Sequence, residues 1–234
     1  MSAFQRLYSG LDREGPGLAE DVHWALDRLG IGGAARVCDA GCGSGADTAT
    51  LGAALPDARI EAVEQMAHLA DEARERCAGL GNVAVHTADM AELSGPFDLI
   101  WSAGAIYFLG VTDGLTAWKP ALAPGGAVAF SQAVRMVEGD AHVERFWADY
   151  PALTDLDGVF DQSRAAGYDV IDHRLILGAP WVAYYRSLAA RILALSGDPD
   201  PELQAVLAAS WTEITHWRAA PDRIAYALVL ARPA

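Results

Sequence analysis

The sequence predicts an α/β protein in which a mostly parallel sheet is wrapped by crossover helices. Two observations carry that expectation. Over the first two-thirds of the chain, short apolar runs alternate with segments of helical periodicity, as they must when each strand is returned by a helix to lie parallel to its predecessor. A glycine-rich turn, VCDAGCGSG at Val37–Gly45, stands between the first apolar run and the helical segment behind it.

Taken in order, a helical N-terminal segment (residues 1–33) ends in the periodic stretch Leu18–Leu29. Ala35–Ala40 is a short apolar run of strand length, and Asp47–Leu55 restores helical spacing behind the glycine turn. Ile60–Glu64 and Val83–Thr87 are the next strands, with Met66–Ala78 as the helix between them. Phe97–Ser102 (FDLIWS) is the fourth strand, Thr112–Leu122 a further helix, and Gly126–Ser131 the fifth strand, with Pro124–Gly126 punctuating its entry. After Gln132 the rhythm changes, and residues 138–166 read as helix and loop. Tyr168–Leu177 reads as a strand, Trp181–Leu195 and about Glu202–Trp217 as helices split by SGDPDP, and Ile224–Ala231 as a last strand. With no internal repeat or low-complexity tract, residues 1–234 read as one domain. Its parts are the N-terminal helical segment 1–33, a core at 34–132, and a cap with a C-terminal strand pair at 133–234.

Composition narrows the function classes. The chain of 234 residues carries a formal net charge of −14, and its 17 basic residues are scattered, Lys119 being the only lysine. Binding to nucleic acid by counterion release needs clustered Lys and Arg, so nucleic acid is not expected as a partner. No apolar run approaches the roughly 20 residues of a membrane span. The N-terminus has no apolar signal core, so a cytoplasmic location is expected. Cys38, Cys42 and Cys77 suit neither a closed disulfide framework nor a common zinc spacing, so they are expected to pack, and no metal is expected. A homodimer is compatible with the sequence and not required by it.

Gly41, Gly43 and Gly45 follow a strand and precede a helix. Glycine permits positive φ and close backbone approach, so such a turn can wrap a nucleotide-like ligand at a helix N-terminus. Gly41-x-Gly43-x-x-Ala46 also satisfies the dinucleotide-binding template. Three acids bear on the choice. Asp39, two residues before the first glycine, would repel a pyrophosphate and attract a ligand with an ammonium group. Glu64, closing the second strand, can accept both hydroxyls of a ribose. Asp89, after the third strand, can accept from an adenine amino group, with Met90 packing near the ring. Taken singly, each acid also reads as a solvated strand-end residue, and a glycine after a strand as a simple turn.

The series D-x-G-x-G-x-G, Glu64, Asp89 and FDLIWS resembles that of the class I S-adenosylmethionine (SAM)-dependent methyltransferases. The resemblance covers Ala35–Gln132 and extends to the C-terminal strand pair. It implies a Rossmann-like, seven-stranded sheet of order 3-2-1-4-5-7-6 with the last strand antiparallel, a helical cap insertion, and SAM as cofactor. Position by position, Asp39, Ala40, Gly41 and Gly43 would cradle the methionine part. Glu64 would hold the ribose, Gln65 would lie along the adenosine, and Ala88, Asp89 and Met90 would clasp adenine. Ser102 and Ala103 would sit near the sulfonium. The stretch WSAGAIYFLG, with EGPG at Glu14–Gly17 and WVAYYRSL at Trp181–Leu188, is similar to a bacterial subgroup of small-molecule methyltransferases. Where that subgroup tends to carry W-S-E-G-A-I-Y, this chain has Ala103 in place of the acid. EGPG has two readings, a segment folded over the cofactor or a Gly/Pro turn leading into the next helix.

Methyl transfer is an in-line displacement that demands positioning and a water-poor site more than a fixed catalytic set. The candidates for a general base or for acceptor positioning are Tyr107 and His142, with His173 and Tyr185 beside them. The aromatics Phe146, Trp147, Tyr150, Trp181, Tyr184, Tyr185, Trp211 and Trp217 either line an acceptor pocket or form the core of the cap. The expected function is transfer of a methyl group from SAM to a small-molecule acceptor. Its rivals are an NAD(P)-dependent oxidoreductase on a related fold and a non-catalytic SAM-binding sensor.

Overall fold

The computed structural model describes residues 1–234. Seven strands form one sheet: β1 (Arg36–Ala40), β2 (Arg59–Glu64), β3 (Val83–Thr87), β4 (Phe97–Ala103), β5 (Leu122–Arg135), β6 (Tyr168–Ile176) and β7 (Ile224–Pro233). Their order is β3-β2-β1-β4-β5-β7-β6, with β7 antiparallel to both of its neighbours. This is the order and sense that the resemblance implied. The chain reverses its sheet direction after β1, which leaves a crevice at the carboxyl ends of β1 and β4, where open α/β sheets bind ligands.

One strand boundary differs from the sequence reading. β5 starts at Leu122, opposite Phe97, and its ladder resumes at Ala127 opposite Leu99. Pro124–Gly126 therefore lies inside the strand as an irregularity, not before it. Proline has no amide to give to a ladder, so the register slips past it at a strand end where water can serve the freed groups.

Nine helices cover the sheet: α1 (Ala3–Tyr8), α2 (Ala19–Leu29), α3 (Ala46–Ala54), α4 (Ala67–Arg76), α5 (Val111–Trp118), α6 (Ala141–Phe146), α7 (Leu156–Ala165), α8 (Ala179–Leu195) and α9 (Pro201–Ala219). The central strands β1, β4, β5 and β7 are largely buried on both faces, and alternate residues serve different cores. Val37, Leu99, Trp101, Ala129 and Leu228 pack toward α1, α2, α8 and α9. Cys38, Ile100, Val128, Phe130 and Val229 pack toward α5 and α7. Cap signals stop and start the helices as expected: Asp155 and Asp200 each accept an amide of the first turn, and Pro201 occupies the N1 position.

The C-terminal helices form one core with the N-terminus and are not a detached cap. Arg6 of α1 bonds to Asp198 and Asp200 in the turn before α9, and Arg191 of α8 donates to the Arg6 carbonyl at 2.8 Å. Trp181, Tyr184, Tyr185 and Trp217 are buried in that core, while Trp211 is exposed. No helix is long and apolar enough to cross a membrane.

Trp118, fully buried at the end of α5, donates its indole N–H to the Met90 carbonyl at 2.6 Å and so ties the loop after β3 to the opposite core. Trp118→Ala is expected to destabilise the protein by about 3–5 kcal/mol through loss of a buried indole and its hydrogen bond. Urea denaturation monitored by circular dichroism checks this.

Candidate active site

The site grows from the turn between β1 and α3. The amides of Gly41 and Cys42 both donate to the Val63 carbonyl, at 2.9 and 3.0 Å, which folds the chain back over the end of β2. The Gly43 amide then donates to Glu64 Oε2 at 3.0 Å, and the Met66 amide donates to Glu64 Oε1 at 2.8 Å. Gly43 has φ of +55°, and a Cβ there would stand 2.2 Å from Glu14 Oε2. Gly41 has φ of +78°, and a Cβ there would stand 2.5 Å from the Ala105 methyl and 3.1 Å from Met90 Sδ. Both positions need glycine for φ and for approach.

Asp39 is not a solvated strand-end acid. It is 2% exposed, accepts the Thr48 hydroxyl at 2.6 Å, and is pushed up to about 7. Burial is the main cause, the neighbouring Asp47 and Glu64 add to it, and Thr48 and Arg13 oppose it. Asp47, at the first turn of α3, is occupied by the Arg13 guanidinium and by the Trp101 indole N–H at 3.1 Å. Glu64 is likewise buried. Two of its approximately four acceptor sites are taken by amides, which leaves acceptor capacity for hydroxyl donors.

The structure gathers the other expected cofactor residues around this turn. Ala40 is buried, and its carbonyl accepts the Ser102 hydroxyl at 2.9 Å, so the ends of β1 and β4 are fixed to each other. Ala103 is half-buried, and the next residue, Gly104, donates to the Ser131 hydroxyl at 2.8 Å. The Ala88 amide donates to the Glu64 carbonyl at 3.1 Å, which holds the end of β3 to β2. Met90 reaches Gly41, whereas Gln65 and Asp89 are exposed, Asp89 accepting the Ala91 amide at 2.8 Å.

The catalytic candidates separate. Tyr107 lies in a short turn after β4 (Ile106–Phe108), against Phe108 at 4.1 Å and edge-on to Tyr150 at 6.0 Å between ring centroids. Burial and the neighbouring Tyr8 and Tyr150 push its phenol up to about 12, so it is a neutral hydrogen-bonding group at physiological pH. His142, on α6, lines a surface groove with Ala219–Arg223 instead. No hydrogen bond or ring contact joins it to Tyr107. His173 packs on Phe160 at the outer strand β6, and Tyr185 is buried with its hydroxyl on Glu213 at 2.8 Å.

Gln132 and Tyr226, absent from the sequence-derived set, lie here with Trp147 and Tyr150, which were named there as pocket or cap-core aromatics. Gln132, 2% exposed on β5, donates to the Tyr150 hydroxyl at 2.6 Å, and its Oε1 is buried without a partner. Trp147 stacks on Tyr226 at 5.8 Å with its indole N–H buried and unpartnered. The Tyr226 ring lies 3.7 Å from where a Cβ of Gly104 would stand, and burial raises its phenol, with Tyr107, Glu213, Tyr8 and Tyr150 adding. A signal for Gln132 existed: it is the polar residue that follows the apolar strand AVAFS. Trp147 and Tyr150 were legible as cap aromatics, whereas Tyr226, inside an apolar strand, gave no signal. Among His, Cys, Asp and Glu no metal-binding group of three occurs.

Residues 37–126 match the family model described as a methyltransferase domain. The trans-aconitate 2-methyltransferase of Deinococcus radiodurans is 36% identical over 97 residues, 41% of this chain and 36% of that protein. That of Streptomyces avermitilis is 33% identical over 133 residues, 51% of this chain and 49% of that protein. The chain spans at most about half the length of the curated relatives it matches, 24% for one and 49% for another. Among solved structures, a SAM-dependent methyltransferase from Geobacter sulfurreducens in complex with S-adenosylhomocysteine superposes with a TM-score of 0.84 at 18% identity, over 99% of this chain and 98% of that one. A SAM-dependent methyltransferase from Thiobacillus denitrificans, also in complex with S-adenosylhomocysteine, gives 0.85 at 18% identity over the same shares. The sheet order and these superpositions give the chain the class I methyltransferase fold, and its match to the methyltransferase domain spans residues 37–126.

Proposed function

We infer that the chain binds SAM at the turn Asp39–Gly45 and transfers its methyl group to a small-molecule acceptor. The observation that carries this reading is what the loop amides already hold. A dinucleotide needs such amides for its pyrophosphate, but here Gly43 donates to Glu64 and Ser44 donates to Glu14 Oε2 at 3.1 Å. A turn whose amides are given to carboxylates, above a buried Asp39, repels a polyanion and attracts a cation. An oxidoreductase using NAD(P) is therefore disfavoured. The residues fit SAM: Glu64 has acceptor capacity left for ribose hydroxyls, and the buried Glu14 Oε1 at the turn has no partner within the chain. When bound there, SAM supplies an electrophilic methyl group on a sulfonium.

The chain's own part is to position the acceptor and exclude water. Tyr107, Gln132, Trp147, Tyr150 and Tyr226 lie around the end of β4, along the neighbouring stretch of β5 and β7. As Tyr107 is a neutral phenol, it orients the acceptor by hydrogen bonding and is not a phenolate base. The buried Gln132 oxygen suits a hydroxyl or amine donor on the acceptor. Near this end of the sheet Arg223 is paired with Asp140 and Arg135 holds the Leu153 carbonyl, while Lys119 bonds to the Gly167 carbonyl at the far end. The aromatic lining suits an acceptor with an apolar body. Three buried free cysteines suit the reducing cytoplasm. A sensor would need no acceptor pocket with unpartnered polar atoms, which favours the enzyme.

Isothermal titration is expected to give micromolar binding of S-adenosylhomocysteine and none of NADH; the reverse would overturn the reading. Titration of SAM near pH 7 in buffers of different ionisation enthalpy should reveal proton release. Asp39 sits near about 7 before binding, and a cation beside it favours the carboxylate, so the proton leaves and affinity rises with pH between about 6 and 8. Asp39→Asn should remove most of that release. With an acceptor in hand, Tyr107→Phe should leave S-adenosylhomocysteine affinity unchanged and lower kcat/KM by about 10-fold, the loss of one neutral hydrogen bond.

A further inference from the structure

One carboxylate at the glycine turn comes from outside the sheet. Glu14 belongs to the strap between α1 and α2, which crosses the crevice and is fixed on both sides of it. The Gly10 amide donates to Glu72 Oε2 at 3.0 Å, and Arg76 of the same helix donates to the carbonyls of Leu11 at 3.0 Å and Asp12 at 2.5 Å. The Asp12 amide donates to the Ser187 hydroxyl of α8 at 3.3 Å, and Arg13 pairs with Asp47. Glu14 is thereby delivered onto the turn, its Oε2 accepting the Ser44 amide. Its other oxygen, Oε1, is buried and has no hydrogen-bond partner.

That arrangement lacks a positive charge. Glu14, Asp39, Asp47 and Glu64 converge on the turn, and the nearby guanidinium of Arg13 is committed to Asp47. Arg76 acts on Glu14, but its guanidinium bonds to the strap carbonyls. Burial raises the Glu14 carboxyl, and Ser44 and Arg76 offset that only in part, so a desolvation cost remains at this carboxylate. Asp39 and Glu64 are differently occupied: Asp39 lies beneath the turn on Thr48, and Glu64 holds two amides. An acceptor for Ser44 alone would need one oxygen. Oε2, the oxygen nearest Gly43, is the one that takes the Ser44 amide, and the buried Oε1 is left for a donor that a ligand can bring.

We propose that Glu14 is a cofactor-binding residue whose Oε1 accepts the α-ammonium of SAM, so that the N-terminal strap closes over the methionine end of the cofactor. This rests on the SAM reading above and assigns to residues before the matched region 37–126 a direct part in that site. The strap and the cofactor are then coupled: each holds the other in place by an ion pair in a partly dehydrated setting.

The test is titration of the whole chain with S-adenosylhomocysteine and with its desamino analogue, in which hydrogen replaces the α-amino group. Glu14→Gln keeps an acceptor for Ser44, so the fold is retained. It should weaken S-adenosylhomocysteine binding roughly 10- to 100-fold, the loss of a charge-assisted hydrogen bond, and leave the desamino analogue within about twofold of the wild type. Hydrogen exchange gives a second readout: S-adenosylhomocysteine should slow exchange over residues 10–17 in the wild type and much less in Glu14→Gln. Equal S-adenosylhomocysteine affinity in the two proteins, or an equal loss for both ligands, would overturn the assignment. Failure of the wild type to bind S-adenosylhomocysteine at all would instead overturn the cofactor reading on which it stands.

Discussion

Much of this structure depends on one hydrogen-bonded carboxylate, that of Glu64. Its two oxygens take the amides of Gly43 and Met66, and so lock the glycine turn of β1 against the end of β2. The turn in turn sets the start of α3, and with it Asp47, which gathers Arg13 from the strap and Trp101 from β4. A buried carboxylate accepting amide bonds is strong because the bonds are charge-assisted and shielded from water. It also fixes the sign of the site, since amides given to a carboxylate are no longer free to hold phosphate.

That sign organises the rest of the crevice. Asp39 is buried beneath the turn and Glu14 lies above it, so the proposed cofactor end is acidic, while the proposed acceptor end, at Tyr107, Gln132, Tyr150 and Tyr226, is aromatic and uncharged. Burial affects the two ends differently. It drives the carboxyl of Asp39 up into the physiological range, where a ligand can move its proton, and it drives the phenols of Tyr107 and Tyr226 up and away from that range, where they remain donors. Chemistry that relies on a sulfonium needs this division: negative potential where the cationic cofactor sits, and a dry, uncharged wall where the acceptor approaches.

The C-terminal third does more than cap the site. By packing α8 and α9 with α1, it anchors the N-terminal strap through Arg6, Arg191 and Ser187. The strap's position over the glycine turn is thus set by contacts nearly two hundred residues away in sequence, and the Trp147–Tyr226–Trp181 aromatic group closes the same core.

The sequence by itself determined the strands, the helices, the turn that needs glycine, and the acids at the ends of β1 and β2. All of these are local, written in spacings of a few residues and in backbone conformations that only some residues adopt. It did not separate the solvated acid from the buried one: Asp39 and Asp89 look alike in the chain, yet one is shut under α3 with Thr48 and the other is exposed. Nor did it choose between Tyr107, His142, His173 and Tyr185, because their environments come from packing partners far along the chain. Tyr107 is joined by Tyr150 and, through it, by Gln132, while His142 is turned to the α9–β7 junction. Glu14 is the clearest case, for its motif allowed both a turn and a lid. Tertiary structure decided in favour of the segment lying over the loop, because anchors on α3, α4 and α8 hold the strap there, and burial and charge pairing are properties of a fold and not of a spacing.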